Sequence, residues 1–505
     1  MNQSEVIQIL EKIQLEYDIS SINYKNKNVW PILRYYFSRV LMNPNKGQDK
    51  VELNDVPVQK QSLKINRSLK FKNIFSVFKL PGLYKKIARQ QKDFNKLNAE
   101  VVFLSPSFEP YPDLIDNKKY SRYLDPYFET FSKNKKVIKV QLVKTGQLTE
   151  DTFVPVHKIN QDIYFLKINI KEKLNRFRKK VCTEKDIIDV LYKLNLYCKS
   201  NEINFVFNSW LIDHLDEVNQ YDSFFYEILH GSKTKTVFFE GYYSPCLFGL
   251  ISACKTLNIK TIDFQHGVVD INYLAWNGLY KSVSYYLPEY YWVWSKKNLN
   301  EVVIHNKTFF IIPIIGGNRW LGKFKELDNS LLMKKLTGNE SVNYDKKILI
   351  SLQYSVFLDH MLSLVSKTID LCSENYLWMF RIHPLSTNDE KLKVVDALEK
   401  YKNIEYEKTS SLNLYEVFKL ADVHIVASSA VAIEGLQFNL PTIIIHEQGI
   451  DLFLDLIEQS IFVSALTPEK IIKNIQSFQS LEVSEEYKIE TSEEQALKQF
   501  ELLTA

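Results

Sequence analysis

From Val101 onward the chain repeats one rhythm, and no other feature limits its fold as tightly. Short β-branched or aromatic runs recur: VVFLSPS (101–107), KKVIKVQLV (135–143), INFVFNS (203–209), KTVFFEG (235–241) and KTIDFQHG (260–267). Helix-length segments separate several of them, notably SPCLFGLISACKTLN between the last two. That alternation argues for βαβ units and a parallel sheet. A second series follows YYWVWS (290–295) and FFIIPIIGGNRW (309–320): KKILISLQ (346–353), YLWMFRIHP (376–384), NIEYEK (403–408), ADVHIVASS (421–429) and PTIIIHE (441–447). Helices are expected at 357–374, 389–402, 412–420 and 430–438. The fold class is therefore α/β, with two doubly wound Rossmann-like domains facing a cleft.

At 505 residues the chain exceeds one hydrophobic core. The expected division is a helical and basic N-terminal extension (1–98), a first α/β domain (99–295), a second (296–465) and C-terminal helices (466–505). Within the first domain, residues 153–200 read as a hairpin-like patch followed by a basic amphipathic helix, IKEKLNRFRKK. Between Gln59 and Asn98 stand eleven Lys or Arg and one acid, Asp93. Such a segment either meets anionic lipid or a polyanionic acceptor, or is a solvated basic linker or helix.

The net charge of +4 is too small to argue for nucleic acid. Cys182, Cys198, Cys246, Cys254 and Cys372 show no ligand-like spacing and read as reduced thiols of a cytosolic protein. The N-terminus, acidic and amphipathic, does not read as a signal peptide, and no run of about 18 apolar residues occurs. A cytoplasmic protein, at most peripheral at the inner membrane face, is expected.

Ligands of open α/β sheets bind beyond the carboxyl ends of strands, which selects five loops. In FRIHP, Arg381 and His383 are two positions apart and share a strand face; phosphate binding and a capped strand end both fit. In ADVHIVASSAVAIEG, Ser428 and Ser429 meet a helix start, where hydroxyls and free N–H groups suit an anion. Glu434, about one and a half turns into that helix, can accept from ribose hydroxyls or be an ordinary helix glutamate. FFEGYYSP and FQHG end adjacent strands with Glu240 and His266, which suit acid–base work or are solvated strand ends. Asp263, earlier in its strand, is expected to point elsewhere. SLQYS, with Gln353, could line a donor pocket. P-loop, dinucleotide, HExxH and GxSxG signatures are absent. The nine histidines do not cluster with cysteines, and no acidic pair ends a strand, so neither metal nor cofactor is expected.

Together these loops resemble a GT-B glycosyltransferase. RIHP, followed by ADVHIVASSAVAIEGLQFNLPTIII, resembles the nucleotide-binding half of bacterial capsule Kdo and sialic acid transferases, with their "HP" and Ser-Ser/Thr motifs. FQHG is similar to the His-Gly motif of teichoic-acid polyol-phosphate polymerases, which also carry an "HP". SSAVAIEGLQFNLPTIII resembles, more distantly, a segment of non-hydrolysing UDP-sugar 2-epimerases, and IIPIIGGNRW a domain-crossing "GNP" segment. The likeness spans roughly residues 235–447.

It implies an acceptor domain followed by a nucleotide-sugar donor domain. His383 would contact the donor phosphate with Ser428 and Ser429, and Glu434 would hold the ribose. His266 would face the phosphate or the acceptor hydroxyl, with Glu240 the next candidate base. Ser429 is followed by Ala430 rather than glycine, which suits a single-phosphate donor such as CMP-Kdo better than a pyrophosphate. The implied partners are a nucleotide-sugar and a surface polysaccharide or lipid-linked glycan, with residues 59–98 at the membrane surface. Alternatives are a CDP-polyol phosphotransferase, a UDP-sugar 2-epimerase and a non-catalytic assembly scaffold.

Overall fold

The computed structural model describes residues 3–16, 22–42, 80–105, 113–115, 118–133, 135–145, 151–168, 184–203, 206, 209–267, 269, 285–305, 311–324, 327–338, 344–354, 357–372, 375–478 and 481–504. Its frame is two parallel sheets. The first holds β1 (Val101–Ser105), β2 (Val137–Val143), β3 (Val156–Asn160), β4 (Thr236–Glu240), β5 (Lys260–Phe264), β6 (Tyr290–Val293) and β7 (Ile312–Ile315). The second holds β8 (Lys346–Ser351), β9 (Tyr376–Arg381), β10 (Ile404–Glu405), β11 (Val423–Val426), β12 (Thr442–Ile444) and β13 (Phe462–Ser464). Central strands such as β1 and β11 are buried along their whole length, which is why they read as unbroken apolar runs.

The strand orders are β7-β6-β5-β4-β1-β2-β3 and β10-β9-β8-β11-β12-β13. Both reverse beside their first strand, so each sheet has one switch point, β1/β4 and β8/β11. The α/β expectation with two doubly wound sheets holds. The hairpin-like reading of residues 153–160 does not: β3 pairs in parallel with β2. Residues 59–79, 170–180, Cys182 and most of 203–209 lie outside the described residues.

Helices close the faces. They include α1 (Gln3–Glu16), α2 (Trp30–Met42), α3 (Leu80–Leu97), α4 (Asp125–Phe131), α5 (Ser209–Leu229) and α6 (Pro245–Thr256) in the first half. The second half has α7 (Leu358–Asp370), α8 (Asn388–Leu398), α9 (Leu414–Leu420), α10 (Val431–Leu436), α11 (Pro468–Ser477) and α12 (Glu493–Thr504). Start signals are local: Ser244 accepts from the Leu247 N–H ahead of Pro245, and Thr387 with Glu390 forms a capping box.

Two boundaries differ from expectation. The N-terminal helices are no separate extension, because Val6, Leu10, Trp30, Leu33 and Phe37 share one core with Leu83, Ile87, Phe94 and the first sheet. The first sheet also runs past residue 295 to Ile315, and α12 returns to it, with Phe500 stacked on Phe131 at 3.9 Å. The return needs glycine. Gly317 has φ +81°, and a Cβ there would lie 2.0 Å from the Glu490 carbonyl, whose neighbours run back alongside Trp294.

Deep in the first unit, Lys139 of β2 meets the Asp125 carboxylate at 2.5 Å, both side chains nearly inaccessible. Asp125 also accepts the Ser121 N–H at 2.8 Å, fixing the turn before α4. Lys139→Met should cost about 3–5 kcal/mol in denaturant-induced unfolding, because it strands a buried carboxylate. Adding Asp125→Asn, which keeps an acceptor for Ser121, should restore most of that loss.

Candidate functional site

At the carboxyl edge of the first sheet, Glu240 ends β4 opposite Phe264, so His266 lies just beyond it on the neighbouring strand. Asp263, 1% exposed, does point elsewhere, but to a purpose: its carboxylate accepts the Gly241 N–H at 2.8 Å and the Tyr242 N–H at 3.5 Å. Burial raises its pKa well above the carboxylate range, against those two N–H groups. The Glu240 charge pushes in the same direction as burial. Gly241, at φ +72°, turns the chain so that the Tyr243 hydroxyl reaches His266 Nε2 at 2.5 Å. Tyr35 of α2 stacks on Tyr243 at 5.0 Å.

Gln265 secures the turn from the other side. Its side chain accepts the Trp294 N–H at 2.9 Å and donates to the Gly267 carbonyl at 2.8 Å. Gly267 itself shows no left-handed φ, and an added Cβ would meet nothing among the described residues within 4 Å. Burial pushes the His266 imidazole down to about 4, helped by the Arg122 charge and opposed by the Phe264 backbone.

The second sheet carries its polar groups at the switch point. Gln353, after β8, accepts the Ser428 N–H at 2.6 Å and donates to Ser428 Oγ at 3.3 Å. The sequence expectation of a pocket-lining Gln353 and an anion-facing Ser428 thus falls on one bonded pair. Ser429 Oγ accepts a long bond from the Val431 N–H, 3.5 Å, and the helix it precedes is six residues long, capped by no side chain. His383 stands beyond β9 with its ring against Tyr354, 4.5 Å between centroids. Its Nδ1 accepts the Leu385 N–H at 3.1 Å, which puts the proton of the neutral ring on Nε2. Burial lowers its pKa to about 4, with Arg122 the next cause; Glu390 opposes and Arg381 adds to the fall.

Two expectations need correction. Arg381 does not act side by side with His383 on a strand face, since β9 ends at Arg381. Its Nη1 donates to the Thr409 and Leu412 carbonyls at 2.8 and 2.7 Å, latching that segment. Glu434 does not present itself to a ribose: it is 3% exposed and accepts from the Tyr415 hydroxyl at 2.5 Å. The short helix turns it inward, toward α9. Behind it, His424 is held far down, near 3, by burial, with Nε2 against Ser351 Oγ at 2.8 Å.

One residue went unread in the sequence. Arg122 sits in the turn that Asp125 fixes, its guanidinium 5.0 Å over the Tyr123 ring. Tyr123 donates to the His266 carbonyl at 3.2 Å and stacks on Trp294. The Arg122 charge bears on His266 in the first unit and on His383 and Tyr415 in the second. A lone arginine in SRYLDPYF, between a serine and an Asp-Pro helix start, was the available signal. A recess of about 490 Å³ lined by Lys419, Gln437, Asn439 and Lys488 holds none of these groups. Among the described residues no three His, Cys, Asp or Glu side chains converge as a metal set.

No family model matches the chain, and no curated protein matches it. Solved structures similar to it include the UDP-GlcNAc 2-epimerase from Methanocaldococcus jannaschii, 12% identical over 80% of this chain and 99% of that one, TM-score 0.47. The S. aureus MnaA–UDP co-structure is 10% identical over 80% and 97%, TM-score 0.47. The wall teichoic acid polymerase TagF is 11% identical over 85% and 92%, TM-score 0.38.

Folding favours the neutral imidazoles of His266, His383 and His424. Their stability contribution is complete above the free value of 6.5 and is lost as pH falls toward 4 and below. In spectra of isotope-labelled histidine, these three rings should not move as pH is lowered through 6.5, and should titrate only in acid.

Proposed function

We propose that this chain is a glycosyltransferase that moves a sugar from a nucleotide-sugar, a CMP-sugar such as CMP-Kdo ahead of a UDP-sugar, to a hydroxyl of a surface polysaccharide or lipid-linked glycan. The observation that carries this reading is the pairing of two unlike polar edges. One offers neutral donors, Gln353 and Ser428 at a switch point and His383 Nε2–H beyond the strand beside it; the other offers a neutral imidazole, His266; and Arg122 bears on both.

In this reading the donor phosphate lies at the β8/β11 edge. His383 donates to it, and Arg122 neutralises charge as the phosphate leaves, where a positioned guanidinium is worth most. The acceptor hydroxyl lies at the β4/β5 edge, and its proton passes toward His266, with Glu240 on the same edge. A new glycosidic C–O bond forms as the sugar–phosphate C–O bond breaks, and the nucleotide carries away the electron pair. The reaction as proposed takes place on the cytoplasmic side. The outward face of α3, with Lys85, Lys86, Arg89 and Lys92 exposed above the buried Leu83 and Ile87, supports attachment to an anionic membrane surface. No described helix is long and apolar enough to cross a membrane.

Thermal unfolding with CMP, CDP, UDP and GDP tests the donor. CMP should raise the midpoint most, since a ligand at 100 times its Kd adds about 2.7 kcal/mol. His383→Ala should abolish that shift, whereas His266→Ala should keep it and lower turnover by about 10²–10⁴. Full turnover in His266→Ala removes its role. A phosphodiester in the product assigns the chain instead to CDP-polyol phosphotransfer, and no shift with any nucleotide removes the donor reading altogether.

A further inference from the structure

Neither nitrogen of His266 lies open: one is hydrogen-bonded, and the other is buried without a hydrogen bond among the described residues. Nε2 is taken by the Tyr243 hydroxyl at 2.5 Å, and Nδ1 is buried with the Phe264 backbone beside it. An acceptor hydroxyl therefore has no direct approach to the ring as it stands. Tyr243 is half-buried, as His266 is, and its hydroxyl lies on the far side of the hydrogen bond from the ring. Its ring is held in place: Tyr35 stacks on it with an interplanar angle of 24°, and Gly241, anchored by Asp263, runs beneath the Tyr243–His266 pair. A hydroxyl that gives its hydrogen bond to an imidazole has its oxygen lone pairs turned to whatever stands on its other side.

We propose that Tyr243 is a catalytic residue, the group that meets the acceptor hydroxyl, and that it relays the proton to His266. The acceptor O–H proton moves to Tyr243 Oη while the phenolic proton moves to His266 Nε2, so the tyrosine ends neutral and the histidine as imidazolium. The acceptor oxygen forms its bond to the donor, and the nucleotide leaves with the electrons of the broken bond. The proton returns to solvent by the same path. This rests on the transferase reading above, but not on its choice of donor, because polyol-phosphate transfer deprotonates an acceptor hydroxyl in the same way. It also gives α2 a role: the N-terminal helices hold, through Tyr35, the ring that does the relaying.

Tyr243→Phe keeps the stack on Tyr35 and removes only the hydroxyl. With the full-length enzyme, its donor and its acceptor, kcat should fall by about 10²–10⁴, the range of general acid–base contributions, with donor KM unchanged. Tyr243→Phe combined with His266→Ala should be no slower than the worse single variant, since both act in one transfer. Replacing Tyr243 with fluorinated tyrosines of graded acidity should make kcat follow phenol acidity, which a merely structural hydroxyl would not do. Retention of kcat within about threefold in Tyr243→Phe, or indifference to fluorination, overturns the relay while leaving the transferase reading intact. A wild-type chain that shows no nucleotide-dependent transfer to any hydroxyl overturns both.

Discussion

Every strand in both large sheets runs parallel, and this one constraint governs where chemistry can sit. Parallel pairing sends all carboxyl ends of a sheet to one edge, and each chain must leave that edge before crossing back through a helix. At the switch points the departing chains diverge to opposite faces and leave polar backbone without a ladder partner. Side chains must then supply the bonds. Gln353 does so for Ser428, and Asp263 does so for Gly241 and Tyr242. The clasp and the carboxylate are first of all answers to a hydrogen-bonding deficit, and they fix in place the side chains that follow them.

The joint between the units is made of aromatic rings. Tyr120, Tyr123, Trp294 and Trp320, from the first half, lie in one apolar cluster with Leu336, Leu349, Tyr415 and Phe418, from the second. Gln265 and Tyr123 tie that cluster to the His266 turn, and the buried Lys139–Asp125 pair ties it to the core of the first sheet. Tyr123 of that cluster also carries the Arg122 guanidinium, 5.0 Å over its ring.

Much of this was legible in the residues. The β/α rhythm gave the class, and the strand ends at Glu240, His266, Gln353, His383 and Ser428 all fall on carboxyl edges. What periodicity could not read was side-chain commitment. Arg381 and Glu434 look like ligands in one dimension, but backbone carbonyls of residues 409 and 412 take the first and Tyr415 the second. The FQHG turn is held by Gln265, and Gly267 needs no left-handed backbone there. The basic N-terminal segment looked detachable because its charge dominates its composition, while the buried positions that fix it, Leu83, Ile87 and Phe94, recur only every few residues. Arg122 escaped because its importance is long-range: it is far in sequence from every histidine on which its charge acts.

The electrostatics divide labour between residue types. Guanidinium groups keep their charge at any ordinary pH, whereas an imidazole in a dry setting gives its charge up. Arg122 and Arg381 therefore supply a permanent positive field, and that same field, added to burial, keeps His383 neutral. A neutral ring with Nδ1 fixed by the Leu385 N–H is a directed donor; a protonated one would be a second diffuse cation. On the opposite edge, His266 Nε2 and the Tyr243 hydroxyl share one hydrogen bond. The arginines hold their charge, and the histidines, because they are not charged, remain able to give and take protons.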